Sequence, residues 1–166
     1  MHPFADRGYT LCIFDLTILA MKKLTFKTKI HASAAKVWEV LWQDTTYRVW
    51  TAVFAQGSYA ESDWKEGGSV KFLSPTGDGM YSEIARLIPH RLMSFRHIGM
   101  IKGGKQVFDD PSIEEWKGAM ENYHLSQKDG DTELSVEMDV SEAEVEYFNR
   151  TFPRALEKVK EIAEKG

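Results

Sequence analysis

The side chains of this sequence that could do chemistry are few, and most have a plainer reading beside them. Gly99-Met-Ile-Lys-Gly-Gly104-Lys105-Gln106 satisfies a phosphate-loop pattern except at its last place, where Gln stands instead of the Ser or Thr that would hold magnesium. Such a loop must open a helix whose amides face the anion, and the run from Val107 to Pro111 is a poor helix start. A glycine-rich turn at a strand end is the expectation. The five histidines, His2, His31, His90, His97 and His124, never pair at i, i+4 on a helical pattern, and Cys12 is the only cysteine. No metal motif and no intrachain disulfide arises from them, and no cofactor is implied. No Gly-x-Ser-x-Gly elbow anchors serine hydrolase chemistry.

Two residues remain as weak catalytic candidates. Glu83 falls in mid-strand between Tyr81 and Ala85; if it points inward it needs a partner such as Arg86, Arg96 or His97, because a buried unpaired carboxylate is costly, and if it points outward it is surface charge. His97, like His124, lies inside a strand and could face a cavity. The acid pairs Asp109-Asp110 and Glu114-Glu115 sit in a long loop, where solvated charge is expected.

The elements that must position these groups follow from periodicity. Lys22 to His31 alternates Leu24, Phe26, Thr28 and Ile30 with polar residues, which predicts a strand with one buried face. Ser33 offers an N-cap to a short helix ending near Trp42, and a second short helix is predicted over Thr45 to Trp50. Turn residues then bracket six strands near 57–63, 69–74, 80–88, 91–101, 117–127 and 132–140. Ser141 and Glu144 form a capping box for a long helix whose apolar stripe is Val145, Phe148, Phe152, Leu156, Val159 and Ile162. Pro153 interrupts its hydrogen bonding and should bend it.

The 166 residues carry a net charge of −4, with 43% hydrophobic residues and no basic block, so neither disorder nor nucleic-acid binding is supported. Residues 21–108 hold 13 basic and 7 acidic groups, and 109–166 hold 7 and 16. No uncharged apolar run is long enough to span a membrane. With one cysteine a cytoplasmic location is expected. Residues 1–20 read as a non-native or disordered N-terminal extension rather than a secretory signal, since Asp15 interrupts the apolar stretch and no small-x-small cleavage site precedes Met21. The folding unit is expected to be residues 21–166.

The expected fold is α+β: a curved, seven-stranded antiparallel sheet wrapped around a long C-terminal helix, in the order β-α-α-β6-α. This order resembles the helix-grip fold of the START-like or SRPBCC superfamily. Particular residues carry a likeness to its branch related to the activator of the heat-shock-ninety chaperone ATPase. They are Ser33-Ala-Ala-Lys-Val-Trp38, Trp50, Gly67-Gly68, Ile88-Pro89-His-Arg-Leu92 and Asp129-Gly-Asp-Thr-Glu-Leu134. Residues 102–116 depart from it by exceeding a tight hairpin.

The resemblance implies that the aromatic surplus converges between sheet and long helix, where it fills a core or lines a cavity. Trp50, Phe54, Phe72, Ile84, Phe95, His97, Tyr123, Met138, Phe148 and Phe152 are the expected ligand-binding residues. Binding of a small apolar or amphipathic molecule (a lipid, a polyketide or an aromatic compound) is the leading functional expectation. A cyclase or aromatase-like enzyme using a cavity acid or base is the second. A co-chaperone-like module is the third; a chaperone partner is implied by the resemblance alone, and a homodimer is left open.

Overall fold

The computed structural model describes residues 21–165; the reading of residues 1–20 lies outside them. In chain order the elements are β1 (Lys22–Ile30), α1 (Ala34–Trp42), α2 (Asp44–Thr51), β2 (Tyr59–Ser62), β3 (Ser69–Leu73), β4 (Gly79–Ile88) and β5 (Leu92–Lys102). There follow β6 (Lys105–Val107), α3 (Pro111–Glu114), β7 (Met120–Lys128), β8 (Asp131–Val140), a 3-10 turn (Glu142–Glu144) and α4 (Val145–Glu164).

Every strand pairing is antiparallel, and the main path runs β1-β8-β7-β5-β4-β3-β2. The sheet has eight strands rather than seven. The extra one, β6, pairs with the far end of β5 through Met100↔Val107 and Lys102↔Lys105. Gly103 and Gly104 connect them at φ 57° and 76°, the double left-handed conformation of a tight hairpin turn that glycine adopts without strain. Three residues are too few to show a period, so the long loop expected at 102–116 is in part a hairpin, followed by the short α3 capped by Asp110.

The alternation read in β1 is realised as register against β8. Leu24↔Met138, Phe26↔Val136 and Thr28↔Leu134 put matching inward residues side by side, while Lys23, Lys27 and Lys29 lie with Asp139, Glu133 and Asp131 on the wet face. One face of the sheet is therefore dry, and three helices cover it.

Ser33 caps α1, its hydroxyl accepting from the Lys36 amide at 3.2 Å. At the other end of α1 the Trp50 indole Nε1 donates to the Leu41 carbonyl at 3.1 Å. That carbonyl is among the last four of the helix, which have no partner within it, so a side chain of α2 completes α1 and locks the two together.

The Ser141–Glu144 capping box is formed, and α4 follows it after the 3-10 turn. Its buried residues Phe152, Ala155, Leu156, Val159 and Ala163 recur every three or four positions, one stripe laid against the sheet. Pro153 sits inside this helix without ending it. The residue that loses its bond, Asn149, is exposed, so water can serve the freed carbonyl.

The core holds Ile30, Val37, Leu41, Trp50, Ile84, Phe95, Leu134, Phe152, Leu156 and Val159 at 2% exposure or less. Each such side chain contributes roughly 1.5–3 kcal/mol by leaving water.

Candidate functional site

The packing is incomplete at one end of the dry face. A cavity of about 420 Å³ lies between the sheet, α2 and the first half of α4, inside the 300–1,000 Å³ range of small-molecule sites. Phe72 of β3, Met80 of β4, Phe95 and His97 of β5, Glu121 and Tyr123 of β7, and Met138 of β8 form its floor. Tyr47, Trp50, Phe54, Phe148 and Phe152 form the opposite wall, with Trp42 and Trp116 also on the lining.

Of the residues singled out from sequence, Trp50, Phe54, Phe72, Phe95, His97, Tyr123, Met138, Phe148 and Phe152 are thus brought to one cavity. Ile84 is not. It is fully buried in the filled part of the core, opposite Phe95 in register and away from the cavity wall. Glu83 takes the outward of its two readings. Its neighbours Ser82 and Ile84 both turn inward, so the pleat sends Glu83 to the outer face, where it is half-exposed and pairs with Arg96 at 3.5 Å. His124 is exposed for the same reason, being the alternate of Tyr123 and Leu125.

His97 is 7% exposed and sits in a chain of polar groups spanning three strands. Its Nε2 lies 3.1 Å from Glu121 Oε2, and its Nδ1 lies 2.7 Å from the hydroxyl of the fully buried Ser82. A carboxylate can only accept, so Nε2 carries the proton, and in the neutral ring Nδ1 accepts from Ser82. The other carboxylate oxygen of Glu121 accepts from the Tyr123 hydroxyl at 2.5 Å. Two donors thus hold the Glu121 carboxylate against the cavity.

The backbone of His97 is held as firmly as its ring. Its N–H donates to the Ala119 carbonyl at 2.9 Å, and its carbonyl accepts from the Gly118 amide at 2.8 Å. The segment that follows α3 therefore anchors the histidine and places Trp116 on the cavity wall.

Glu121, Ser82, Trp42 and Tyr47 were not singled out by sequence. A signal for Glu121 existed: it stands two residues before Tyr123 and four before Leu125, on the inward phase of the same strand. The chemistry this corner can perform is limited to proton exchange and hydrogen bonding. Ser82 is fully buried and absent from the cavity lining, so its hydroxyl orients the imidazole rather than meeting a guest. Among the described residues no group of three or more His, Cys, Asp and Glu side chains is arranged to hold a metal ion.

Burial, and secondarily the negative charge of Glu121, raises the pKa of Tyr47; burial first and Glu121 second raise that of Tyr123. Both phenols stay neutral in the fold. A group raised above its unfolded value of 10.0 contributes stability that is complete below that pH and is lost as pH climbs past it. The melting temperature is expected to fall from about pH 10 upward, with Tyr123→Phe flattening the fall. Tyrosinate absorbance followed along the same ramp checks it: two phenols titrating freely before unfolding would contradict this burial.

The backbone is similar to that of several solved structures at sequence identities that speak to fold alone. A protein from Mesorhizobium loti superposes with TM-score 0.67 at 13% identity, covering 87% of this chain and 98% of that one. The Aha1 dimer from Colwellia psychrerythraea gives 0.65 at 18%, covering 87% and 97%. CalU16 from Micromonospora echinospora gives 0.59 at 15%, covering 84% and 73%. No curated protein matches by sequence. Among the described residues no helix is long and apolar enough to cross a membrane. The fold is the helix-grip arrangement, and residues 31–164 match the model of one family over most of the chain: the protein belongs to the Activator of Hsp90 ATPase homolog 1-like family.

Proposed function

We propose that residues 21–166 act as a ligand-binding domain that encloses a small molecule with an apolar or aromatic body in the cavity between sheet and α4. The observation that carries this is the cavity's composition: about 420 Å³ walled by aromatic side chains, with one polar corner of Glu121, His97 and Tyr123. A protein interior normally packs to crystal density. A void of this size surrounded by rings is space reserved for a guest, and a few convergent polar groups among many apolar ones are how such sites fix orientation.

A second reading, proton transfer on the bound molecule, is favoured by one feature. Glu121 lies on the cavity wall beside an imidazole whose far nitrogen is hydrogen-bonded to Ser82, an arrangement able to hold or release a proton. DynU16, of similar fold at 15% identity, is a protein of the dynemicin biosynthetic locus. A partner-binding role has less behind it, because among the described residues only Val49 and Tyr147 are large hydrophobic side chains left exposed.

The test is titration with the neutral fluorophore N-phenyl-1-naphthylamine, alongside native mass spectrometry of protein from its own host. Saturable enhancement at one equivalent is expected, weakened roughly tenfold or more by Phe148→Trp, which adds ring volume inside the cavity. Equal affinity in that variant, with no carried molecule in the mass spectrum, would refute cavity binding.

A further inference from the structure

The charges on the cavity wall are one-sided. Four acids are on its lining, Asp78, Glu121, Asp139 and Glu144, although the Asp139 carboxylate turns to the wet face beside Lys23, and among the described residues no lysine or arginine is on it. The whole chain has 21 basic against 25 acidic residues, so this is not a reflection of composition. Three of the acids have structural work: Asp78 accepts from the Gly103 amide, Asp139 from the Met120 amide and Glu144 from the Ser141 amide. Lys23, 3.7 Å from Asp139, is itself off the wall.

Glu121 is different. Its side chain is 18% exposed, and its partners are the Tyr123 hydroxyl and the His97 ring, both neutral donors when the imidazole is neutral. A carboxylate removed this far from water is ordinarily matched by a cation. Within the described residues His97 alone stands within ion-pair distance of it.

The rest of the wall suits a positive charge too. Twelve of its side chains are aromatic, and the face of an aromatic ring is the negative end of its quadrupole. Arg48 already uses one of them from its own side, with its guanidinium carbon 5.0 Å from the centre of the Tyr59 ring and its Nε held by Asp44.

We propose that the molecule taken up by this cavity is an organic cation, an amine or quaternary ammonium on an apolar or aromatic body, whose charged head meets Glu121 and the surrounding ring faces. Fatty acids, organic phosphates and other anionic amphiphiles are disfavoured: Trp42 on the lining has an unpartnered Nε1 that could donate one hydrogen bond, but no lysine or arginine there pairs with an anionic head and Glu121 repels it. This rests on the reading of the cavity as a ligand site and adds the sign of the ligand's charge.

The test uses three probes of one shape, titrated calorimetrically into the full chain: (1-naphthylmethyl)trimethylammonium, its neutral isostere with carbon in place of nitrogen, and 1-naphthylacetate. The ammonium is expected to bind roughly tenfold or more tightly than its neutral isostere, with the carboxylate weakest. Glu121→Gln should bring ammonium and neutral isostere within about threefold of each other. Met80→Lys, which puts a cation on the same wall without touching the polar corner, should weaken the ammonium by about tenfold and keeps the question answerable should Glu121→Gln fail to fold. A neutral or anionic probe that equals or exceeds the ammonium overturns the charge assignment and leaves cavity binding standing. An ammonium preference unchanged in both variants overturns it as well. No binding by any of the three overturns both.

Discussion

Trp50→Ala is expected to destabilise the protein by about 3–5 kcal/mol, the usual cost of truncating a buried tryptophan. Trp50 is 2% exposed and stacks edge-on with Tyr47 at 5.4 Å and with Phe54 and Tyr123 at 6.4 Å. Its loss removes this packing and also strips the Leu41 carbonyl of its donor, which alone is worth about 1 kcal/mol. Trp50→Phe sets an upper bound on the hydrogen-bond part, since it keeps one ring of the packing and loses the donor together with the rest of the indole. Urea denaturation followed by far-ultraviolet circular dichroism gives both numbers. A loss under about 1.5 kcal/mol in the alanine variant would mean that α1 and α2 close over the gap, contrary to the rigid corner described here.

The second large effect is expected at His97. His97→Leu leaves Glu121 without its imidazole and Ser82 without an acceptor, three strands deep in the sheet's dry face. A cost of about 3 kcal/mol follows, since a mostly buried carboxylate loses one of its two donors and the buried Ser82 hydroxyl its acceptor. The double variant His97→Leu, Glu121→Leu should recover most of that loss or exceed the parent chain, because well-packed apolar residues often replace buried polar pairs at no cost. The double-mutant cycle therefore yields a coupling of opposite sign to each single loss. Recovery of stability together with loss of ligand affinity would mark the network as kept for binding. Strict additivity of the two single effects would show that His97 and Glu121 do not act as a pair.

Much of this architecture could be read from residue order. The resemblance to the helix-grip fold put Phe95, Tyr123 and Met138 between sheet and helix and left His97 and His124 on equal terms; the cavity lining contains the first three and His97. Alternation does not tell which inward positions meet empty space. Ile84 shares its face with Phe95, yet it lies where the core is packed, and only the docking of α1, α2 and α4 decides that boundary. Glu83 reads either way from sequence, and only the inward phase of Ser82 and Ile84 decides for the outer face, where Arg96, one of its three possible partners, pairs with it. Glu121 was passed over because, polar and near a strand start, it looks solvated until Tyr123 and Leu125 fix which way the strand faces. The Ser82–His97–Glu121 chain joins residues 15 and 24 positions apart, and no local pattern reports such a meeting.

The pinning of the His97 backbone by Gly118 and Ala119 has a consequence for how this scaffold could diversify. The sheet and α4 set the frame, but the stretch from Gly103 to Ala119 reaches the cavity at Trp116 and grips the histidine without supplying any strand of the main path. On the proposed reading of the cavity, insertions, deletions or grafts between Val107 and Trp116 would retune selectivity while the main path of the sheet and α4 keep their sequence. That makes this hairpin and its short helix a cassette: a place where one descendant of the fold can be made to prefer a different guest from another, by evolution or by design.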